Sequence, residues 1–313
     1  MSNFLVSNLP RLGSSARAAL GVSLLAISSV ATAAESFCPR GASPDPAVIW
    51  CDSFENEDLG PNGTILEKYY DVNSNGGELA RTTAENLHGS YALRARYQAG
   101  EIDAGYLFFN FGRSPLPSQV RPTSDFREIY WRVYVKLDEG FVGHPAKYTR
   151  ATSFATSNRA QAMIAHVWTD NNDARLNMDP VSGIDAQGNL ATTQWNDFPN
   201  LRWLGLRWGT TTIDAGRWYC VEAHVRLNTA GSSDGVFEFW IDDNLQARRA
   251  DLNWVGTWNQ YGINSIMLET YWNGGSSRDQ ERYFDAFVVS TKRIGCVNST
   301  RPNPPTNLSI QPQ

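Results

Sequence analysis

The sequence has few cysteines, no excess of positive charge and, beyond its first 33 residues, no long apolar run. It carries 27 basic against 32 acidic residues, and an acidic surface does not attract phosphate backbones, so nucleic acid is not expected as a partner. No later segment approaches the roughly 20 apolar residues of a membrane span. Gly-x-Ser-x-Gly, His-Glu-x-x-His and phosphate-loop motifs are also missing, which argues against the chemistries that depend on them.

The first 33 residues have the pattern of a secretion signal. Arg11 and Arg17 are followed by an apolar run and then by Ala31-Thr32-Ala33, a small-x-small cleavage pattern. Its removal takes away two of the 27 basic residues and none of the 32 acidic ones, so the net charge becomes 25 minus 32, or -7. We therefore expect a secreted, extracellular or periplasmic protein that has no membrane attachment once the signal is cleaved.

All four cysteines, Cys38, Cys51, Cys220 and Cys296, lie in the exported part of the chain. An even number in an oxidising compartment predicts two disulfides, and the spacing fits no zinc motif. Three pairings are possible. We favour a bridge from the N-terminal segment to Cys296, because chain ends often meet in sandwich folds.

Candidate strands recur along the chain and no segment has a sustained helical period. They read EIYWRVYVKL, AMIAHVW, LRWLGLRW, WYCVEAHVRLN, GVFEFWIDD, SIMLETYW and YFDAFVVS. Many strands without intervening helices predict an all-β antiparallel sandwich or barrel. We expect a single monomeric domain over residues 34–297, followed by a Pro- and Asn-rich linker or disordered tail over residues 298–313.

The segments WYCVEAHVRLN and GVFEFWIDD, joined by a polar turn, predict a hairpin. Alternation turns one set of side chains toward the core, namely Val221, Ala223, Val225 and Leu227. The other set, which includes His224, is expected on the opposite face, with His224 at the surface.

The order of three features, WYCVEAHVRLN, then DGVFEFWIDD, then YWNGGS followed by YFDAFVVS, resembles a known family. It is similar to the C-terminal half of concanavalin A-like jelly rolls in glucuronan- and alginate-cleaving polysaccharide lyases and in secreted fungal cellulose-induced proteins. WCDSFEN and LHGSYALRARY resemble the opening strand and the His-Gly-Ser turn of such sandwiches. The resemblance implies two antiparallel sheets and a polysaccharide as substrate or ligand.

The resemblance also offers a role for Asp285. In sandwiches of this type an acid near the first strand, the His-Gly-Ser turn and an Asp in the last strand often hold a structural calcium ion, which would here involve Glu55, the turn at residues 88–90 and Asp285. The alternative is that Asp285 ends a buried network with Arg282 or Lys292, because a buried acid needs a cation or hydrogen-bond donors. No organic cofactor is expected.

A jelly roll of this type is expected to have a concave sheet whose outer face forms a groove. Alternation along the candidate strands assembles Ile164, His166, Trp168, Trp203, Arg207, Met267, Glu269 and Tyr271 on that face, and neighbouring segments add Lys147, Tyr148, Arg150 and Arg175. Trp168, Trp203 and Trp272 are candidate platforms for sugar rings, and Arg175, Glu269 and Tyr271 are candidate substrate contacts.

Eliminative cleavage of a uronate polymer requires a group that neutralises the carboxylate, a base for the C5 proton and an acid for the leaving oxygen. His166 and Tyr148 are the candidate base and acid. Arg150, Arg175 or Arg207 would neutralise the carboxylate, and Lys147 would take part if its loop folded over the groove. Alternatively, His166 is a hydrogen-bonded structural residue, the arginines pair with acids, and most tryptophans belong to the core.

Other motifs separate the possible activities. The Glu-x-Asp-x-x-Glu strand of laminarinase-like hydrolases is missing, which disfavours hydrolysis. The Arg-x-Glu-Leu-Arg, Gln-Ile-His and Tyr-Phe-Lys-Ala-Gly signatures of one alginate lyase family are missing too, so no catalytic set carries over residue by residue. The leading hypothesis is a polysaccharide lyase, followed by a non-catalytic, lectin-like glycan-binding domain and a structural or adhesive surface protein.

Overall fold

The computed structural model describes residues 45–55, 69–118, 120–169 and 173–297. The predicted signal peptide and the predicted tail at residues 298–313 lie outside these described residues. Within them, no helix is long and apolar enough to cross a membrane.

Sixteen strands and two short 3-10 turns make up the regular structure of the described residues. The strands are β1 Val48–Asp52, β2 Asp71–Asn73, β3 Leu79–Thr82, β4 Ala92–Tyr97, β5 Tyr106–Asn110, β6 Glu128–Leu137, β7 Lys147–Phe154, β8 Gln161–Trp168, β9 Arg175–Ser182, β10 Arg202–Trp203, β11 Arg207–Thr212, β12 Trp218–Arg226, β13 Gly235–Ile241, β14 Asn244–Leu252, β15 Ser265–Glu269 and β16 Gln280–Ser290. The 3-10 turns are Asn75–Gly77 and Phe198–Asn200.

The strands form two eight-stranded antiparallel sheets packed face to face. One, here called the site sheet, has the order β10-β9-β8-β7-β15-β5-β2, with β11 also paired to β9. The other, the back sheet, has the order β14-β13-β12-β6-β16-β4-β3, with β1 also paired to β16. The prediction of an all-β, concanavalin A-like jelly-roll sandwich is confirmed.

The predicted hairpin is present and its inward face is as expected. Strands β12 and β13 pair in register from Val221 opposite Ile241 to Arg226 opposite Val236, and Val221, Ala223 and Val225 are buried in the core. The surface position predicted for His224 is wrong. Its ring lies between two carboxylates, with Nε2 2.7 Å from Glu128 Oε1 and Nδ1 2.8 Å from Glu238 Oε1, and these neighbours bury it.

The favoured disulfide pairing is also wrong. Cys296 pairs with Cys220 on β12, across 76 residues of chain, while Cys51 is disulfide-bonded to a partner outside the described residues. The segment that carries Cys296 lies across the back sheet because Glu222 accepts hydrogen bonds from the Ile294 and Gly295 backbone amides at 2.6 and 2.9 Å. The disulfide and these two hydrogen bonds therefore fix the end of the domain to β12.

Candidate active site

A β-bulge at the start of β7 decides which of its side chains face outward. Lys147 is opposite Trp168, but Thr149 is opposite Val167, so Tyr148 is an extra residue in the ladder. Such an insertion turns two successive side chains toward the same face. Tyr148 and Thr149 both point into the core, and Lys147 and Arg150 therefore share the outer face of the site sheet.

Tyr148 consequently lies between the sheets and does not line the outer face. Its side chain is 2% exposed, and the guanidinium of Arg282, from the back sheet, lies 4.6 Å from the centre of its ring. Burial raises the pKa of Tyr148 above its usual value, with Arg282 opposing the shift. The structure does not bring the predicted acid to the outer face.

A cavity of about 530 Å³ opens on the outer face of the site sheet. Six of the residues selected from the sequence line it, namely Lys147, Arg150, Trp168, Met267, Glu269 and Tyr271. Lining residues that the sequence analysis missed include Asp103, Tyr106, Arg159, Trp195, Asn196, Phe198 and Asn273. The alternation of Tyr106 with buried Leu107 in β5 was a usable signal, whereas Trp195 and Asn196 come from an irregular loop without one.

Arg150 forms the buried base of the cavity. Its Nη2 atom lies 3.2 Å from Glu269 Oε1, and its Nη1 donates to Asn196 Oδ1 at 3.0 Å. The ring of Trp195 covers the guanidinium, with its centre 4.2 Å from Cζ. The bond to Arg150 orients the Asn196 amide, so its Nδ2 group is the remaining side-chain donor.

Lys147 lies beside this pair and is partly buried. Its Nζ atom lies 2.9 Å from the centre of the Trp168 ring. Burial, with a smaller contribution from Arg150, lowers the pKa of Lys147 to about 8, while Glu269 and Asp179 act in the opposite direction. A substantial fraction of the amine is therefore neutral in mildly alkaline solution.

His166 sits next to the cavity without lining it. It is paired across the strands with Arg150 and Asp179, is 1% exposed, and its Nδ1 lies 3.1 Å from the Asp179 carbonyl oxygen. Burial, Arg150 and Lys147 together hold the pKa of His166 well below its usual value. The imidazole is therefore neutral, and with Nδ1 donating to the carbonyl, Nε2 is an acceptor.

The other predicted residues are dispersed. Trp203 is 46% exposed, with its ring centre 6.0 Å from that of His166, so it extends the outer face beyond the cavity. Arg175 pairs with Asp173 at 2.5 Å on the same face.

Arg207 is opposite Met178, a core residue, and therefore does not point to the outer face. Trp272 is buried against Tyr97 and Phe141 and serves the core.

The turn expected to bind calcium does bring Glu55 and Asp285 together. A bulge in β16, with Ala286 at φ 49°, turns Asp285 and Ala286 outward together. Asp285 accepts hydrogen bonds from the Leu87 and His88 backbone amides at 2.9 and 3.2 Å. Burial raises the pKa of Asp285 to about 7, with Glu55 adding to the shift and the amides opposing it.

Glu55 holds the other end of the same turn. It accepts hydrogen bonds from the Ser90 and Tyr91 amides, each at 3.0 Å to Oε1, and a Cβ at Gly89 would come within 2.3 Å of that carboxylate oxygen. The donors gathered here are amide N–H groups, and among the described residues no group of three or more His, Cys, Asp or Glu side chains could hold a metal. Both carboxylates accept hydrogen bonds from this turn, and the calcium ion expected here stays a prediction.

Comparison with known proteins agrees with the sequence resemblance. Residues 203–287 match the family model described as polysaccharide lyase 14, and no curated protein matches the chain. The fold is similar to that of an endo-β-1,4-glucuronan lyase from the fungus Trichoderma reesei, with a TM-score of 0.53 and 15% identity over 74% of this chain and 94% of that one.

A second similar structure is the marine PL-14 alginate lyase from Aplysia kurodai. It has a TM-score of 0.52 and 13% identity over 78% of this chain and 99% of that one. At these identities the likeness establishes the fold, while the family match supports a polysaccharide lyase. The chain therefore has the jelly-roll fold of the glucuronan and alginate lyases and carries, over residues 203–287, the sequence pattern of polysaccharide lyase 14.

Proposed function

We propose that the protein is an exported lyase that cleaves a uronate-containing polysaccharide by β-elimination in the cavity of the site sheet. The observation that carries the proposal is Lys147, a partly buried amine with its pKa lowered to about 8 at the cavity wall. A general base works best when its pKa lies near the working pH. The match to polysaccharide lyase 14 supports the reaction class.

In the proposed reaction the neutral amine of Lys147 removes the C5 proton of the uronate. The electron pair of the C5–H bond forms the C4–C5 double bond, and the C4–O bond to the leaving sugar breaks. The Asn196 amide, oriented by Arg150, would stabilise the charge that develops on the uronate carboxylate. These roles replace those first assigned to His166 and Tyr148, neither of which lines the cavity.

Tyr106 is the proposed acid for the leaving oxygen. Burial, followed by Asp71, raises the pKa of Tyr106, so its phenol stays protonated. Tyr106 is opposite Glu269 on the neighbouring strand, and Glu269 lies in turn beside Arg150 on β7. The base Lys147 is on β7 and the acid Tyr106 is on β5, with β15 between them. The two residues are therefore two strand spacings apart, roughly 10 Å at the backbone, which leaves room for a sugar ring between their side chains.

The test is absorbance near 235 nm, where the unsaturated product of elimination absorbs, with the exported protein on glucuronan, alginate, pectin and glycosaminoglycans. A rise that disappears in Tyr106→Phe is the expected result. Absence of a rise on every polymer, with retention of one of them in affinity electrophoresis, would instead indicate a non-catalytic glycan-binding domain. Absence of both would indicate a structural or adhesive protein.

Export is proposed together with this function. The predicted signal sequence is its basis, and the Cys220–Cys296 disulfide agrees with an oxidising compartment. The monomeric state stays a prediction.

The structural calcium ion between Glu55 and Asp285 is a separate prediction that follows from the resemblance. If the ion is held there at 100 times its Kd, it contributes about 2.7 kcal/mol, and chelation should lower the Tm by roughly 5–10 °C. Thermal unfolding with and without a chelator measures this. An unchanged Tm would mean that backbone amides alone hold the turn.

A further inference from the structure

The cations of the site sheet are mostly neutralised by the protein itself. Arg150 is paired with Glu269 at 3.2 Å, Arg159 with Asp71 at 3.1 Å, and Arg175, farther along the face, with Asp173 at 2.5 Å. Among the described residues that line the cavity, Lys147 is the one cation with no carboxylate oxygen within 4.0 Å. Little positive charge is left for a polyanion.

Further acids lie on the same face. Asp179 is partly buried and belongs to the row formed by His166 and Arg150, and its described electrostatic partner is Lys147. Asp103 lines the cavity, where its carboxylate accepts a hydrogen bond from the Gly105 amide at 2.9 Å. A ligand carboxylate beside either acid would meet a like charge in a poorly solvated place, which is destabilising.

The flanks of the cavity are aromatic and weakly charged. Trp203 and Phe198 are 46% and 51% exposed, and Tyr271 is 40% exposed. Aromatic faces bind the C–H faces of sugar rings without requiring a charge on the sugar. The flanks therefore suit neutral sugars, while the cavity suits one carboxylate.

We infer that the substrate is a heteropolysaccharide in which a single uronate is flanked by neutral sugars, and not a polymer with a carboxylate on every ring. This inference rests on the proposed function, because it takes the cavity to be the place of elimination. The ion pairs Arg150–Glu269 and Arg159–Asp71 act as a charge filter: they supply hydrogen-bond donors without the net positive charge that a homopolyuronate requires.

The experiment uses glucuronan whose carboxyl groups have been reduced to primary alcohols to increasing degrees, so that linkage stays constant while charge spacing grows. The value of kcat/KM per remaining uronate is expected to rise at least about tenfold between the unreduced and the half-reduced polymer. Hyaluronan, which alternates glucuronate with a neutral amino sugar, should be cleaved faster than glucuronan. The highest value on the unreduced polymer would overturn the inference.

A variant tests whether the negative charge on this face causes the preference for the half-reduced polymer. Asp179→Asn removes a negative charge from the face and should selectively raise kcat/KM on unreduced glucuronan, reducing the preference for the half-reduced polymer. Glu139→Gln, at an exposed site on the turn after β6, is the matched control and should leave the preference unchanged. An Asp179→Asn variant with an unaltered preference would also contradict the inference.

The failure of the inference can be told apart from the failure of the proposed function. If no polymer gives absorbance near 235 nm, elimination is refuted, and retention of the same reduced series in affinity electrophoresis then measures ligand preference alone. Stronger retention of the half-reduced polymer would support the charge filter in a binding domain. Stronger retention of unreduced glucuronan would refute it.

Discussion

Lys147→Met is expected to lower kcat/KM on the cleaved polymer by about 10³-fold, within the range that a general base contributes. Methionine has a similar length and is apolar, so it fills the space beside Trp168 but cannot accept a proton. In the wild-type protein, kcat/KM should rise with pH through about 8, because Lys147 must be neutral to act as the base. Initial rates at 235 nm from pH 6 to 10 measure both effects.

The same substitution is expected to stabilise the fold near pH 7. The pKa of Lys147 is about 8 in the folded protein against 10.5 for a free lysine, so between these values the unfolded chain holds more protons. The free energy of unfolding of the wild-type protein therefore rises with pH across that window, and below pH 8 the charged lysine opposes folding. Lys147→Met should add about 1–3 kcal/mol at pH 7 and remove this pH dependence.

Lys292→Met is the matched control for both measurements, because Lys292 is exposed just after the last strand. It should change neither kcat/KM nor the Tm. The assignment of Lys147 as base would be wrong if Lys147→Met kept more than about a tenth of the wild-type activity, or if the pH profile of the wild-type protein had no step near 8.

Arg282→Met is expected to reduce both stability and turnover. Arg282 is fully buried and crosses the core from β16. Its Nη1 donates to the Lys147 carbonyl oxygen and its Nη2 to the Glu269 carbonyl oxygen, both at 2.9 Å. It thus joins the first residue of β7 to the last residue of β15 beneath the cavity. Removing it leaves two buried carbonyls without this donor, which should cost about 3–5 kcal/mol.

Arg282 is expected to affect turnover because it holds Lys147 in position, and not because it places a charge in the cavity. Loss of both hydrogen bonds frees the bulge that aims Lys147, and a displacement of roughly 1 Å can lower kcat by about 100-fold. Because Lys147 would then be better hydrated, its pKa should rise and the step in the pH profile should move upward from 8. Arg282→Lys, which can reach one carbonyl, should have an intermediate effect.

Arg96→Met provides the control for Arg282. Arg96 lies on the back sheet and forms a surface ion pair with Asp279 at 3.8 Å, which contributes little stability. Urea unfolding and pH–rate profiles of the three variants separate the two roles. A folded Arg282→Met protein with wild-type kcat and an unshifted pH profile would show that Arg282 serves packing alone.

The hydrophobic pattern was sufficient to predict where most strands run and which face of β12 points toward the core. Alternation has a period of two in any strand, so it can be read without knowledge of partners. Alternation predicts the wrong face for residues at a β-bulge, where one strand has an extra residue. The bulges at Tyr148 and at Ala286 each turn two neighbouring residues to one face. Tyr148 was assigned to the groove as part of a loop, whereas it is the extra residue of β7 and lies in the core.

The sequence also did not show which outward-facing side chains would be buried. Alternation placed His224 on the outward face correctly, but its cover comes from Glu128 and Glu238 on two other strands. The pairing of Cys296 with Cys220 likewise depends on a segment distant in sequence that packs onto the outer face of β12. A sequence pattern records which way a side chain points, and not what the rest of the chain lays over it.

The sequence by itself determined the all-β class, the hairpin of β12 and β13, the resemblance to the lyase fold and six of the residues that line the cavity, because each follows from local alternation or from a contiguous motif. Only the tertiary structure decided that Lys147 and Arg150 share a face, that Tyr148 and Trp272 are core residues, and that Tyr106, Arg159 and Asn196 join the site. These outcomes depend on strand register and on loops distant in sequence, which are fixed when the sheets pair and the sandwich closes.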